Sequence, residues 1–422
     1  MNHLIKKYPR KKSKAGALQY VVAMSLLIFF LMGMFMLQAH YSNLHVDEIL
    51  IQERLYDQLS SAKVLLKNRP GLVQEQGKRK LELFSDVHVK LNVNNWGIYK
   101  LIALNAGYRH HRKEEVFLLG DDIWQEDRSS LYLADRKRYL SLCGDTWIGG
   151  PAYLPSLGVR RSYVDGVGYY REKVIQGEIR KSKAELPTIR KEFSILFEEQ
   201  WEIDFERDSI VSWEEVEEEK VSNSFYSKTL VMYSPQEIIL ENIDLSGRIK
   251  VISDTIIKVL ASTKIDHCIL IAPRVVFQRN CKMNCQVFAK DYVEIGQESD
   301  FTYPSMVFMN GYNSGKELVL QDSVHFAGEL LVLGKQEKKM PKLKLKKSTR
   351  VEGFVYCDGI VEMEGGVAGS VYTNRFLLYT RSAMYENHLL NIRLDVEDLK
   401  KEYVGVSWFG EPVRKEIIEF LW

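Results

Sequence analysis

The chain has 422 residues, with 58 Lys and Arg against 56 Asp and Glu, 27% charged and 45% hydrophobic. These fractions lie near globular averages and exclude a wholly disordered, collagenous or multi-span membrane chain. Six of the basic residues (Lys6, Lys7, Arg10, Lys11, Lys12 and Lys14) fall in the first 16 positions with no acid among them, which leaves 58 − 6 = 52 basic against 56 acidic residues elsewhere. A weakly acidic body without a basic stripe has no electrostatic footprint for nucleic acid, so no such partner is expected.

The basic leader, residues 1–16, runs into 17–37, a stretch of 21 residues without a charge. About 20 are needed to cross a hydrocarbon core as helix, so a transmembrane helix is predicted over 17–38 with the lipid bilayer as its partner. Asp47, Glu48 and Glu53 follow the apolar run. Because basic residues flanking a first span stay inside, the leader is expected to be a cytoplasmic tail, and the body extracytoplasmic, in the periplasm or at the cell surface. The alternative, a signal peptide cleaved near Leu37-Gln38-Ala39, would need an apolar region about twice the usual length.

Beyond the span, Leu44, Ile51, Leu55, Leu59, Ala62 and Leu66 recur at spacings of three, four or seven. That periodicity predicts an extracytoplasmic stalk helix over 39–70, stopped by Arg69, Pro70 and Gly71. A continuous helix over 17–68 would be about 78 Å long. The sequence Lys14-Ala15-Gly16-Ala17, followed by the apolar run and its amphipathic continuation, resembles the N-terminus of type IV pilins and pseudopilins. The resemblance implies processing between Gly16 and Ala17 and assembly with other pilus-like or envelope proteins. It covers about 50 residues, mostly through hydrophobicity. The chain departs from it at Gln19, Tyr20 and Val21, where those proteins carry an early glutamate. An ordinary single-pass anchor with a helical stalk is the alternative.

Residues 71–191 show short apolar runs broken by glycine and charge, which predicts a β-rich domain. From Glu198 to Glu219 eleven acidic residues interleave with Trp201, Phe205 and Trp213. We expect 192–229 to be an acidic connector or cap whose aromatics pack on the body. It lacks the glycine-permitted turn that calcium loops use.

Residues 230–380 carry the strongest pattern. Apolar runs begin at Ile249, Cys268, Cys285, Met306, Leu330, Phe354 and Ser370, and a second series interleaves with them. Gly247, Gly328, Gly353 and Gly369 precede strands, where a corner needs positive φ. Two series sharing one period predict a parallel β-solenoid (β-helix), each layer stacking on the next. A sandwich would require tight hairpins, and the sequence has one Asn-Gly pair, Asn310-Gly311. The pattern resembles bactofilins and other coil-stacking scaffolds, which implies a structural role. Residues 381–422 are expected to form a cap with one or two short helices. The fold class is thus mainly β: an N-terminal transmembrane and stalk helix, a β-rich domain and a solenoid with a C-terminal cap.

Motifs for chemistry are sparse. Cys268 and Cys285 begin equivalent runs, which places them side by side on adjacent strands, as buried thiols or as a disulfide. Cys281 lies four residues before Cys285 without a second ligand pair, so no metal site is expected, and no cofactor motif occurs. His267 and His325 read as surface or corner residues. Asp291, Glu294, Glu298 and Asp300, with Arg274 and Arg279 one layer earlier, are the candidates for a glycan-binding or polysaccharide-cleaving face. The chain is therefore expected to be a non-enzymatic, membrane-anchored scaffold of a surface or envelope assembly, with the anchored glycan-binding protein as the alternative.

Overall fold

The computed structural model describes residues 16–81, 83, 88–125, 128–206, 208–311, 315–334, 340–381 and 383–422. The six leader basic residues lie outside the described residues, as do residues 312–314 and 335–339 of the region with the repeating apolar pattern. The chain is mainly β, with one long N-terminal helix and a short second one.

Helix α1 spans Gly16–Asn68, within one residue of the periodicity reading. Proline at 70 removes a donor from the ladder and stops it. Its first half is exposed on every side from Leu18 to Leu37, long and apolar enough to cross a membrane. The second half changes character. Leu55, Leu59, Ala62 and Leu66, one stripe at helical spacing, are fully buried. They pack on a five-stranded antiparallel sheet whose order is Gly77–Leu81, His88–Trp96, Tyr99–Tyr108, His111–Asp121 and Lys415–Leu421. Strand alternation sends Leu91, Val93, Ile102, Leu104, Phe117 and Leu119 toward the helix. Burial of this kind contributes about 2 kcal/mol for each large aliphatic side chain. Lys63 pairs with Glu115 at 2.9 Å across the junction. The expected stalk is thus free only over its first part. Its last turns are the cover of a sheet.

The opposite face of that sheet, including Trp96, Tyr99, Leu101, Val116 and Leu118, packs on Ile252, Ile269, Ile271 and Phe288 of a second, parallel sheet. Here the chain returns beside itself in parallel register again and again. One continuous row of aligned residues reads Val211, Met232, Val251, Leu270, Val287, Val307, Leu330, Val355, Val371, Leu131, Ala152 and Ile179. From Met232 to Ala152 every member is buried in a common apolar core. The parallel pairings join these strands into one continuous sheet.

The row passes through residues 131–181, N-terminal to the expected boundary at 191/192. The strands Leu131–Leu133, Ala152–Leu154 and Ile179–Lys181 extend the ladder beyond Gly366–Tyr379. The chain then runs back through helix α2, Lys191–Glu199, and starts the opposite end of the ladder at Ser209–Ser212. Short apolar runs gave no means of telling antiparallel from parallel partners, so these strands read as a domain of their own.

Two corner types recur. Gly328, Gly353 and Gly369 are aligned on successive strands with φ of 146°, 144° and 143°, and Gly247 has φ 92°. A Cβ at Gly353 would overlap the Gly328 carbonyl, so backbone packs directly on backbone there. The second corner uses no glycine. Asn280, Glu298, Ser323 and Ser348 all have φ near 60°, a conformation that costs an L-residue about 1–2 kcal/mol. Hydrogen bonds between layers hold it: Asn280 N–H donates to Gln297, Glu298 N–H to Asp322 and Ser323 N–H to Lys347.

The C-terminal 42 residues differ from the expected helical cap. They form strands at Met384–Glu386, His388–Leu390, Arg393–Asp395 and Lys415–Leu421, with no helix among the described residues. The β-branched and aromatic content of the final run fits the free edge of the antiparallel sheet beside His111–Asp121, and that pairing decides the matter.

Candidate anchoring and docking surfaces

The junction between the two sheets is the most elaborate polar arrangement among the described residues. Gln286, on the outer face of the parallel sheet, accepts from Ile98 N–H at 3.0 Å and donates to the Trp96 carbonyl at 2.9 Å. That clamp fits because residue 97 is glycine, with φ 60°. Any side chain there would occupy the place of the Gln286 amide. Trp96 Nε1 donates to the His267 carbonyl at 2.9 Å. His267 is at a corner, with φ 59° at the register shift between Asp266 and Cys268, one of the two places the sequence allowed, but it is buried against the antiparallel sheet and not on the surface. Burial pushes its pKa down, but Glu419 at 3.4 Å and Asp266 at 3.7 Å outweigh this, and the net shift is upward.

Nearby, Glu329 is fully buried. Its Oε1 accepts from Val406 N–H at 3.1 Å, and its Oε2 accepts from Trp408 Nε1. Tyr99, Tyr303 and Tyr403 surround it, and Tyr303 Oη donates to the Val404 carbonyl at 2.7 Å. Burial drives the Glu329 carboxyl up to about 8, partly offset by its hydrogen bonds to Trp408 and Val406. The same loop is tied to the antiparallel sheet. Ser407 N–H donates to Asp121 at 2.7 Å, and Lys415 pairs with the other Asp121 oxygen. Residues 403–421 therefore stitch the helix-bearing sheet to the parallel one. The sequence carries no motif for this, because the partners lie roughly 75 to 290 positions apart and only the tertiary pairing brings them together.

The six residues proposed for a glycan face do not converge. Arg274 and Glu294 share one outer face, where Arg274 lies over Tyr292 and Glu294 accepts from Tyr292 Oη and Gln321, both at 2.7 Å. Arg279 and Glu298 pair at 3.2 Å at a corner. Asp300 sits at the start of another strand, 2.7 Å from His325, whose other nitrogen is 3.4 Å from Glu352. Asp291 lies in the bend between the halves of its strand. Arg279 and Glu298 thus pair with each other, while Arg274, Glu294 and Asp300 are engaged by neighbours outside the set.

A different recess does gather polar groups. About 300 Å³ in volume, it is lined by Arg136, Asp358, Asn374, Asn310, Thr188 and Tyr356 among others. Arg136 donates to the Asn374 amide oxygen at 3.2 Å, and Asn374 donates to Asp358 at 2.7 Å. Burial raises the Asp358 carboxyl above its usual range.

Cys268 and Cys285 are register partners, and all five cysteines are buried free thiols. Burial raises the Cys268 and Cys285 thiols, and raises Cys281 to about 11, so none is an activated nucleophile. Among the described residues no three His, Cys, Asp or Glu side chains gather as metal ligands. In the acidic stretch Phe193, Leu196 and Phe197 of α2 are buried, and Trp201 is half-buried beneath Lys290. Phe205, expected to pack, is exposed.

No family model matches the chain, and neither a curated protein nor a solved structure is similar to it. The functional reading therefore rests on the geometry above. Gly16 begins α1 with open space around it, and Ala17 follows on an exposed face.

Proposed function

We propose that the chain is a single-pass membrane-anchored structural protein whose parallel ladder is one continuous β-solenoid, held outside the cytoplasm as a scaffold of a surface or envelope assembly. The observation that carries this reading is α1. One helix presents a bare apolar half to its surroundings, while its other half is built into the core of a sheet that is itself clamped to the ladder. An anchor joined to its body by a packed interface transmits position and force, whereas a flexible tether does not. The leader charges Lys6 to Lys14 support an inward N-terminus. Protease added to intact spheroplasts tests the topology: digestion of the C-terminal body supports the reading, and full protection overturns it.

The pilin-like form of the proposal adds cleavage after Gly16. It is supported by the amphipathic continuation packing on an antiparallel sheet. Mass spectrometry of the mature N-terminus decides it, with an intact leader the contrary result.

A second reading, anchored glycan binding, is favoured by the Arg136–Asn374–Asp358 chain beside Tyr356. Planar hydrogen-bonding groups next to an aromatic ring suit a sugar. Binding to a glycan array that Asp358→Ala abolishes would support it, and an array without signal would remove it.

A further inference from the structure

The inward row of the ladder does not close at either end. Ile179 follows Ala152 in register, yet its side chain is 53% exposed because no strand lies beyond Ile179–Lys181 among the described residues. At the other end Val211 is the last member, half-buried, and its neighbour Ile210 is exposed. The strands Ser209–Ser212, Lys220–Asn223 and Ile238–Leu240 each have a partner on one side only among the described residues. So do Val159–Arg161 and Ile179–Lys181 at the far end. Core side chains are left partly uncovered at both ends: Trp213, Val216 and Val221 at one, Val159, Tyr169 and Val174 at the other.

The two ends carry opposite charge. The end that begins at Ser209 is bordered by exposed Glu206, Glu214, Glu215, Glu217, Glu218 and Glu219, with Lys220 and Lys228 among them. The end that finishes at Lys181 is bordered by exposed Arg160, Arg161, Lys173, Lys181 and Lys183, with Asp165, Glu172 and Glu178 among them. Unpaired strand edges recruit strands. Here two like ends would set like charges face to face, whereas unlike ends attract.

We infer that the ladder binds a second copy of this chain head to tail, the basic end at Ile179–Lys181 adding as the next layer on the acidic end at Ser209–Ser212. Such stacking continues the existing register. Ile179 of one copy lies beside Val211 of the next, and the apolar row runs unbroken from Ala152 through the contact to Met232. Lys181 meets the acidic border formed by Glu214 and Glu215. Repeated, the contact is heterologous and open, and it yields a polar filament, not a closed dimer. The inference deepens the scaffold reading and rests on it, since it names the partner and the two faces.

Cross-linking of the full chain in detergent or vesicles tests it. Adjacent strands sit about 4.8 Å apart, within the Cα separation a disulfide needs. Within one chain the two positions are eleven layers apart, about 53 Å, so a 179–211 disulfide can only join two copies. Ile179→Cys and Val211→Cys are made separately and oxidised alone or mixed. The native thiols, all buried, serve as the unsubstituted control. A reducible dimer in the mixture, and a ladder of multimers from the double variant, is the expected result. Arg161→Glu with Lys181→Glu on the Ile179→Cys chain should lower the yield about fivefold or more, and Glu214→Lys with Glu217→Lys on its partner should restore it. Equal dimer from either single variant alone, or none from the mixture while circular dichroism shows folded chains, overturns the proposal. Protease accessibility of the body, measured on the same samples, reports separately on the anchored-scaffold reading.

Discussion

The two sheets of this protein solve the same burial problem in different ways. The antiparallel sheet has apolar side chains on both faces and needs two foreign surfaces, α1 on one side and the parallel sheet on the other. The parallel sheet encloses its own core row, which neighbouring layers share. Damage to the first should therefore stay local. In the second, a single obstructed layer interrupts everything stacked on it.

The sharpest way to break this contrast is Gly353→Val. Its side chain would overlap the Gly328 carbonyl at a φ of 144°, so far-ultraviolet circular dichroism should show the β signal lost, not merely a lower melting temperature. Next in size is Trp408→Ala, which empties the contact with Phe193 and Phe308 and takes the indole donor away from Glu329 Oε2. A loss of about 3–5 kcal/mol is expected by denaturant melts. Leu59→Ala should cost about 2–5 kcal/mol. Hydrogen exchange should then place the loss in residues 88–121 and 415–421, with the ladder still protected. Exchange spread evenly over both sheets would refute the distinction.

The pH dependence sharpens the same comparison at the junction. The folded Glu329 carboxyl titrates at about 8 against an ordinary 4.5, so between those values the folded state holds the extra proton. Stability is then greatest below about 4.5 and falls as pH rises toward 8. His267, also shifted upward by Glu419 and Asp266 after burial is counted against it, loses its contribution in the same direction. Thermal melts should drop between pH 5 and pH 9, and Glu329→Gln should flatten the slope. Smallest is Lys344→Ala. It removes contacts to Glu317 at 2.6 Å and Glu362 at 3.8 Å on an outer face, and should cost less than about 1 kcal/mol.

Helix α1 could be read from the sequence because a long uncharged run and a stripe at helical spacing are local signals. The glycine corners could be read for a similar reason: positive φ next to tight backbone contact leaves few choices of residue. The Asn280, Glu298 and Ser323 corners could not, since their conformation is held by hydrogen bonds from the neighbouring layer, a signal no local pattern carries. Long-range pairing also hid the parallel partners of residues 131–181 and the edge strand Lys415–Leu421. Of the candidate site residues, the charges from Arg274 to Asp300 were visible as charges, but the neighbours that engage them, Tyr292, Gln321 and His325, were not. Glu329 looked like one more acidic residue in a strand. Its burial becomes meaningful only when residues 403–408 are folded over it.

The chain order of the ladder has a consequence for synthesis. Residues 131–181 leave the ribosome early, but the strand Gly366–Tyr379, against which Leu131–Leu133 lies and on which the others stack in turn, comes some 240 residues after Leu131. Until it arrives they have nothing to template them, so the last layers in space are made first and seated last. A chain halted before residue 366 would carry them as a sticky, unplaced segment, exposed to whatever it meets until its neighbour emerges.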